Sequence, residues 1–151
     1  MNIMISKIYS VVDRTIIDLV TKISLPLARL SLFTVYFWFG ALKLFGQSPA
    51  NQLVGELLAR TLPFISLPQF LLILGVLEMV IGLLFILPGY ERLAIFLLVI
   101  HMITTALPLF LLKAITWKAF MVPTLEGQYI IKNAVIVALA LAIASHLSHR
   151  Y

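Results

Sequence analysis

The chain has 151 residues, enough for one domain, of which 62% are apolar and 11% charged. A soluble domain runs roughly half apolar and a quarter charged, so a globule of this size cannot hide the excess, which is expected to face lipid. The net charge of +5 comes from scattered basic residues, which excludes a nucleic-acid platform, and the absence of cysteine excludes disulfides, CxxC redox chemistry, thiolate nucleophiles and iron–sulfur ligation.

In chain order, Ile5, Ile8, Val12, Ile16, Leu19 and Ile23 recur at helical spacing, with Lys7, Asp13, Arg14, Asp18, Thr21 and Lys22 between them. No continuous apolar run leads to a small-residue cleavage site, so residues 1–24 do not read as a signal peptide. They predict an amphipathic helix that lies in the membrane interface or packs on the chain's own cytoplasmic loops. Pro26 is expected to separate it from a four-span unit, residues 25–151. The first span runs from about Leu27 to Phe45 and holds Phe33, Tyr36, Phe37, Trp38 and Phe39. The second runs from about Phe70 to Leu87, where Pro88-Gly89 makes a turn. The third runs from about Leu93 to Leu112, and the fourth from Thr124 or Tyr129 to about Leu147. Each has roughly the 17–25 residues that a hydrocarbon core of about 30 Å requires. The short Pro88–Arg92 connection makes spans two and three an antiparallel hairpin.

Two longer connections fall on the opposite side. In the first, Ser48-Pro49 reads as an N-cap followed by proline at N1. A short amphipathic helix follows, with Leu53, Val54, Leu57 and Leu58 on one face and Gln52, Glu56 and Arg60 on the other, Glu56 and Arg60 being at i, i+4. Pro63 and Pro68 end it. The second connection holds Trp117, an expected interface anchor, and then Pro123-Thr124. Lys7, Arg14, Lys22, Arg29, Arg92 and Arg150 share one side, against Arg60, Lys113 and Lys118 on the other. The positive-inside rule therefore places both termini in the cytoplasm.

Polar residues interrupt every span. A charge at the bilayer centre costs at least about 2.5–3.5 kcal/mol on insertion scales, so such residues are expected to be paired, functional or both. Glu78 lies in the middle of span two, on a face with Gly75 and Gly82 that allows close helix approach. His101 lies near the middle of span three, with Thr105 and Pro108 on its face. Pro108 frees a carbonyl one turn back, for Thr104 or a water to satisfy. Lys43 shares a face with Arg29, Tyr36 and Gly40. Lys132 and Asn133 follow Glu126 and Gln128 in span four. At about 1.5 Å per residue, Lys43 and Lys132 lie roughly 4 and 6 Å from the outer end, Thr105 and Glu78 roughly 10–12 Å, and His101 roughly 16 Å. Inward-turned polar faces would gather Lys43, Glu78, His101, Thr105, Glu126, Gln128, Lys132 and Asn133 into one buried cluster in the outer half, with Glu78 paired to Lys43 or Lys132. The plainer alternatives are lysines that snorkel to the interface and a Glu–Lys pair that sets helix register. With no second mid-membrane histidine, no Met–His pair and no cysteine, His101 reads as a hydrogen-bonded core residue rather than a metal or haem ligand. His146 and His149 read as solvated. Ala134, Ala138, Ala142 and Ser145 form a small-residue packing stripe.

The segments Arg29-Leu-Ser-Leu-Phe and Phe37-Trp-Phe-Gly-Ala-Leu-Lys-Leu-Phe-Gly resemble the first span of DoxX-like membrane proteins. So do Gly75-x-x-Glu78-x-x-Ile-Gly82 and His101-Met-x-Thr-Thr, and Thr124-Leu-Glu-Gly-Gln-Tyr-Ile-Ile-Lys-Asn133 resembles the start of their last span. The resemblance covers about Arg29 to Ala144, and the layout is also similar to that of reactive-chlorine-resistance inner-membrane proteins. It implies a four-helix bundle in a bacterial inner membrane with a respiratory or oxidative-stress role. Some relatives serve as a membrane subunit of a thiosulfate:quinone oxidoreductase, and others as partners of redox enzymes. The expected fold is therefore all-α: a transmembrane four-helix bundle with an N-terminal interfacial amphipathic helix and a short amphipathic helix between spans one and two. Three functions fit: a subunit binding a quinone-like amphiphile or a redox partner, a small proton-coupled transporter, or a structural membrane protein, each in the bilayer and open to homo-oligomerisation. No complete catalytic set is visible.

Overall fold

The computed structural model describes residues 2–147, with side chains from Val12 onward. The side chains of Ile5, Lys7 and Ile8, and the whole of His149 and Arg150, lie outside the described residues. Helix α1 spans Asn2–Leu44, α2 Asn51–Thr61, α3 Leu67–Ile86, α4 Glu91–Ala106, α5 Pro108–Leu111, α6 Lys113–Thr116 and α7 Leu125–Ala144. Strands β1, Trp117–Ala119, and β2, Val122–Pro123, form a small antiparallel hairpin between α6 and α7.

Three stretches are long and apolar enough to cross a membrane: Leu67–Ile86, Glu91–Leu111 and Leu125–Ala144. A third or less of each is buried within the chain, so most of their apolar side chains face outward. That distribution fits a membrane protein, since lipid is the medium in which outward apolar surface carries no penalty. The first expected span, about Leu27 to Phe45, is not among the three; it carries Arg29, Ser31, Thr34, Tyr36 and Lys43 among its apolar residues.

Alpha1 packs most extensively on α3, and α7 mainly on α4. Leu32, Tyr36, Ile81, Phe85, Ala94, Leu98, Ala140 and Ile143, from α1, α3, α4 and α7, form one buried core. Close approach of α1 and α3 depends on glycine. A Cβ on Gly40 would stand 2.6 Å from the carbonyl oxygen of Gly75, and one on Gly75 would stand 2.8 Å from that of Gly40.

Several expectations are corrected. Alpha1 continues through Pro26 instead of ending there. The proline deletes one ladder bond, to the Lys22 carbonyl, and the turns on both sides stay intact. The helix is about 64 Å long at 1.5 Å per residue, and its described residues before Leu25 are exposed all round. Pro68 does not end α2 but sits in the first turn of α3, where a missing N–H costs nothing. Alpha2 starts at Asn51, and the Ser48 hydroxyl instead accepts from the Ala50 N–H at 3.3 Å. Leu58 of α2 is buried while Gln52, Glu56 and Arg60 are exposed. Arg60 bonds the Leu111 carbonyl at 2.8 Å, which ties α2 to the end of α5. The Glu91–Leu111 stretch breaks at Leu107, where Pro108 cannot donate to Thr104 and the Leu107 N–H reaches that carbonyl at 3.2 Å. The β-hairpin is the departure from an all-α chain.

Candidate functional site

Glu78 is the centre of a buried polar cluster. Its helix, α3, is apolar except at this position and Gln69, and Gly75 and Gly82 flank it on the face turned to α1. A Cβ on Gly82 would stand 3.0 Å from the Phe37 nitrogen and 3.1 Å from the Phe33 carbonyl. The two helices thus meet closely above and below the carboxylate. Across this seam, Tyr36, Gly40 and Lys43 recur at i, i+4 and i+7 on α1 and turn toward α3. Lys43 Nζ donates to Glu78 Oε2 at 2.6 Å. His101 of α4 reaches the other carboxylate oxygen, Nε2 lying 3.0 Å from Oε1. Lys43, Glu78 and His101 are 8%, 6% and 6% exposed. Charges this far from solvent persist only when paired and hydrogen-bonded, and both carboxylate oxygens are.

Two hydroxyls surround the far side of the imidazole. Tyr36 Oη lies 3.3 Å from Nδ1, with the two rings edge to face at a centroid distance of 5.5 Å. Thr105 Oγ1 lies 3.4 Å from Nδ1 and donates to the His101 carbonyl at 2.8 Å. A carboxylate only accepts, so the His101 hydrogen belongs on Nε2, and Nδ1 then accepts from the Tyr36 hydroxyl. Tyr36, His101, Glu78 and Lys43 form one continuous chain of exchangeable hydrogens. Thr104 also donates to the His101 carbonyl, at 2.8 Å, so two hydroxyls fix the turn of α4 that presents the ring.

Of the residues expected to gather, Lys43, Glu78, His101 and Thr105 are brought together. Glu126, Gln128 and Lys132 are exposed, and Asn133 is half-buried. Lys132 Nζ sits 5.4 Å from the ring centroid of Tyr129 rather than on Glu78. On α7 the buried residues Ile130, Ala140 and Ile143 define the inner face; at 100° per residue Asn133 falls on it and Lys132 outside it. Trp38 and Phe39 point outward, whereas Tyr36 joins the cluster. The i, i+4, i+7 spacing of Tyr36, Gly40 and Lys43 was the available signal for Tyr36. Among the described residues no group of three or more His, Cys, Asp or Glu side chains is placed to hold a metal ion.

The Thr124–Asn133 segment has a local structural role. Thr124 caps α7, its hydroxyl accepting from the Gly127 N–H at 3.2 Å and donating to the Ile115 carbonyl at 2.7 Å. Any Cβ on Gly127 would collide with the Thr116 carbonyl.

A second polar centre was not anticipated. Arg29 pairs with Glu91 at 2.9 Å, donates through Nε to the Phe85 carbonyl at 2.6 Å and through Nη2 to the Ile86 carbonyl at 3.2 Å. It satisfies the orphan carbonyls at the end of α3 while holding the first residue of α4. No protein-family model, curated protein or solved structure matches the chain.

Proposed function

We propose that this protein is a four-span subunit of a bacterial inner membrane that binds a quinone-like amphiphile, or a redox enzyme partner handling one, beside the Lys43–Glu78–His101–Tyr36 relay. The observation that carries this reading is the sharing of one buried carboxylate between an ammonium and an imidazole whose other nitrogen meets a phenol. A register-setting ion pair needs only two opposite charges. The added imidazole and phenol make a path along which a proton can move, and quinone reduction consumes protons as well as electrons. Electrons would come from the partner enzyme, and this chain would supply the proton path. The resemblance to DoxX-like proteins points the same way.

Alpha1 supplies the fourth crossing, through residues 27–45. The charges that make this stretch less apolar, Arg29 and Lys43, are both ion-paired, which lowers the cost of placing them in a bilayer. The lysine and arginine distribution puts both termini in the cytoplasm. A purely structural role is the second reading, favoured by the full pairing of both Glu78 oxygens.

Native mass spectrometry of protein extracted gently from its membrane tests the proposal. An isoprenoid quinone is expected to co-purify, and the charge-neutral double variant Lys43→Met/Glu78→Gln should bind added quinone roughly tenfold more weakly, equivalent to about 1.4 kcal/mol. A folded double variant that binds quinone as well as the parent would sink this reading and leave the structural one.

A further inference from the structure

The hairpin between α6 and α7 puts its most apolar residues where they are least protected. Register pairs Ala119 with Val122, so Phe120 and Met121 form a two-residue turn. Phe120 is 95% exposed and Met121 73%. Such turns favour Asn-Gly or similar pairs, because a positive φ strains any residue with a Cβ. Met121 nevertheless adopts φ 58°.

The base of the hairpin, by contrast, is rigidly held. Trp117 Nε1 donates to the Leu109 carbonyl at 3.0 Å, the Thr124 N–H donates to Thr116 at 3.0 Å, and the Thr124 hydroxyl donates to Ile115. Two bulky apolar side chains are thus projected from a fixed base, one of them at the expense of backbone strain, and nothing in the fold covers them. Phe110 and Leu111 before the hairpin, Val122 within it and Leu125 after it are exposed as well. Lys113 on α6 and Lys118 on β1 are both exposed in the segment that leads to the tip, and Glu126 lies within electrostatic reach of Lys118.

We infer that the Phe120-Met121 tip inserts into the lipid leaflet at that end of the protein, with Lys113 and Lys118 meeting anionic headgroups. Continuity and charge identify the occupant. The connection that carries the hairpin, residues 112–124, leaves one membrane-compatible stretch at Leu111 and returns to another at Leu125. Its apolar tip therefore starts at the level of the bilayer surface, where lysines beside buried aromatics bind anionic lipid. The leaflet would repay the strain at Met121, because the side chain leaves water. This inference rests on α4–α5 and α7 crossing the bilayer, and is independent of what the Glu78 cluster does.

The cysteine-free chain allows single nitroxide labels at Phe120→Cys, Met121→Cys, Lys118→Cys and, as a reference on the outward face of α4, Ile103→Cys. In vesicles containing phosphatidylglycerol, labels at 120 and 121 should collide several-fold more with oxygen than with a water-soluble nickel chelate, and the label at 118 should show the reverse. Lys113→Gln/Lys118→Gln should reduce the insertion of label 120 to its level in phosphatidylcholine vesicles. Met121→Gly should leave the detergent-solubilised protein folded and at least as heat-stable, since the strain is relieved, yet make label 120 more accessible to the chelate in vesicles. Chelate access at 120 and 121 with label 103 in lipid would overturn the inference alone. Chelate access at 103 as well would overturn the crossing on which it rests. Dipolar broadening between labels at 120 that disappears on dilution with unlabelled protein would assign the tip to a second copy and also overturn it.

Discussion

Two ion pairs, one buried and one partly exposed, fasten α1 to its neighbours, and they are built differently. At one end, Arg29 commits all three guanidinium nitrogens: one to Glu91 and two to the carbonyls that end α3. Arginine's planar fork suits such fixed, multiple recognition, and its charge is permanent. At the other end a lysine, a glutamate, a histidine and a tyrosine are joined in one hydrogen-bonded chain. The first arrangement closes the α3–α4 turn around an arginine whose charge is fixed. The second places titratable groups in a chain, where a purely mechanical clamp would have needed only one pair. The two pairs thus differ in kind, one closing a turn and the other extending into a hydrogen-bonded network of four side chains.

The strongest test of this contrast removes one centre without the other. Gly75→Leu drives a side chain into the Gly40 carbonyl and Lys43 Cβ. It should separate α1 from α3 around Glu78 at a cost of at least about 3 kcal/mol, read as loss of monodisperse protein after extraction. Glu78→Gln should cost about 3–5 kcal/mol, because it strands a buried ammonium. Adding Lys43→Met should recover most of that loss, and a double-mutant cycle in a reversible detergent unfolding assay measures the coupling. If the double variant is no more stable than Glu78→Gln, Lys43 is not the carboxylate's energetic partner. Arg29→Met should cost about 2 kcal/mol, for the lost charge-assisted bonds at a partly exposed site. It should leave quinone affinity unchanged; a drop in affinity equal to that of the Lys43→Met/Glu78→Gln variant would erase the distinction between the two ends. Tyr36→Phe is the smallest change, about 1 kcal/mol for one hydrogen bond. In the relay reading it alters the pH dependence of quinone reduction by a partnered enzyme, whereas in the structural reading it alters only stability.

The difference between the sites also explains which was visible beforehand. Glu78 and His101 stand out because each is an expensive residue in the middle of an apolar run, and Gly75 and Gly82 reveal which face is crowded. Arg29 and Glu91 lie near the ends of such runs, where charges are ordinary, so nothing in their local context separates a clamp from a solvated residue. The same limit applies to Glu126, Gln128 and Lys132. They occur in a polar segment at a depth similar to Lys43, yet helical phase turns Lys132 away from the inner face that Asn133 occupies.

Composition alone determined that much of this chain's apolar surface must face an apolar medium, because no rearrangement of 62% apolar residues within 151 could bury them all. Spacing determined which residues share a helix face, since that depends only on 3.6 residues per turn. Partner choice was left to the tertiary structure. Whether Glu78 meets Lys43 or Lys132 depends on which helices touch and how each is rotated, and those are set by glycine contacts between α1 and α3 that act across 35 residues of chain. The continuity of α1 through Pro26 and the strained Phe120-Met121 turn were decided there too. A proline's missing bond and a residue's positive φ are local costs, and only the packing around them determines whether they are tolerated.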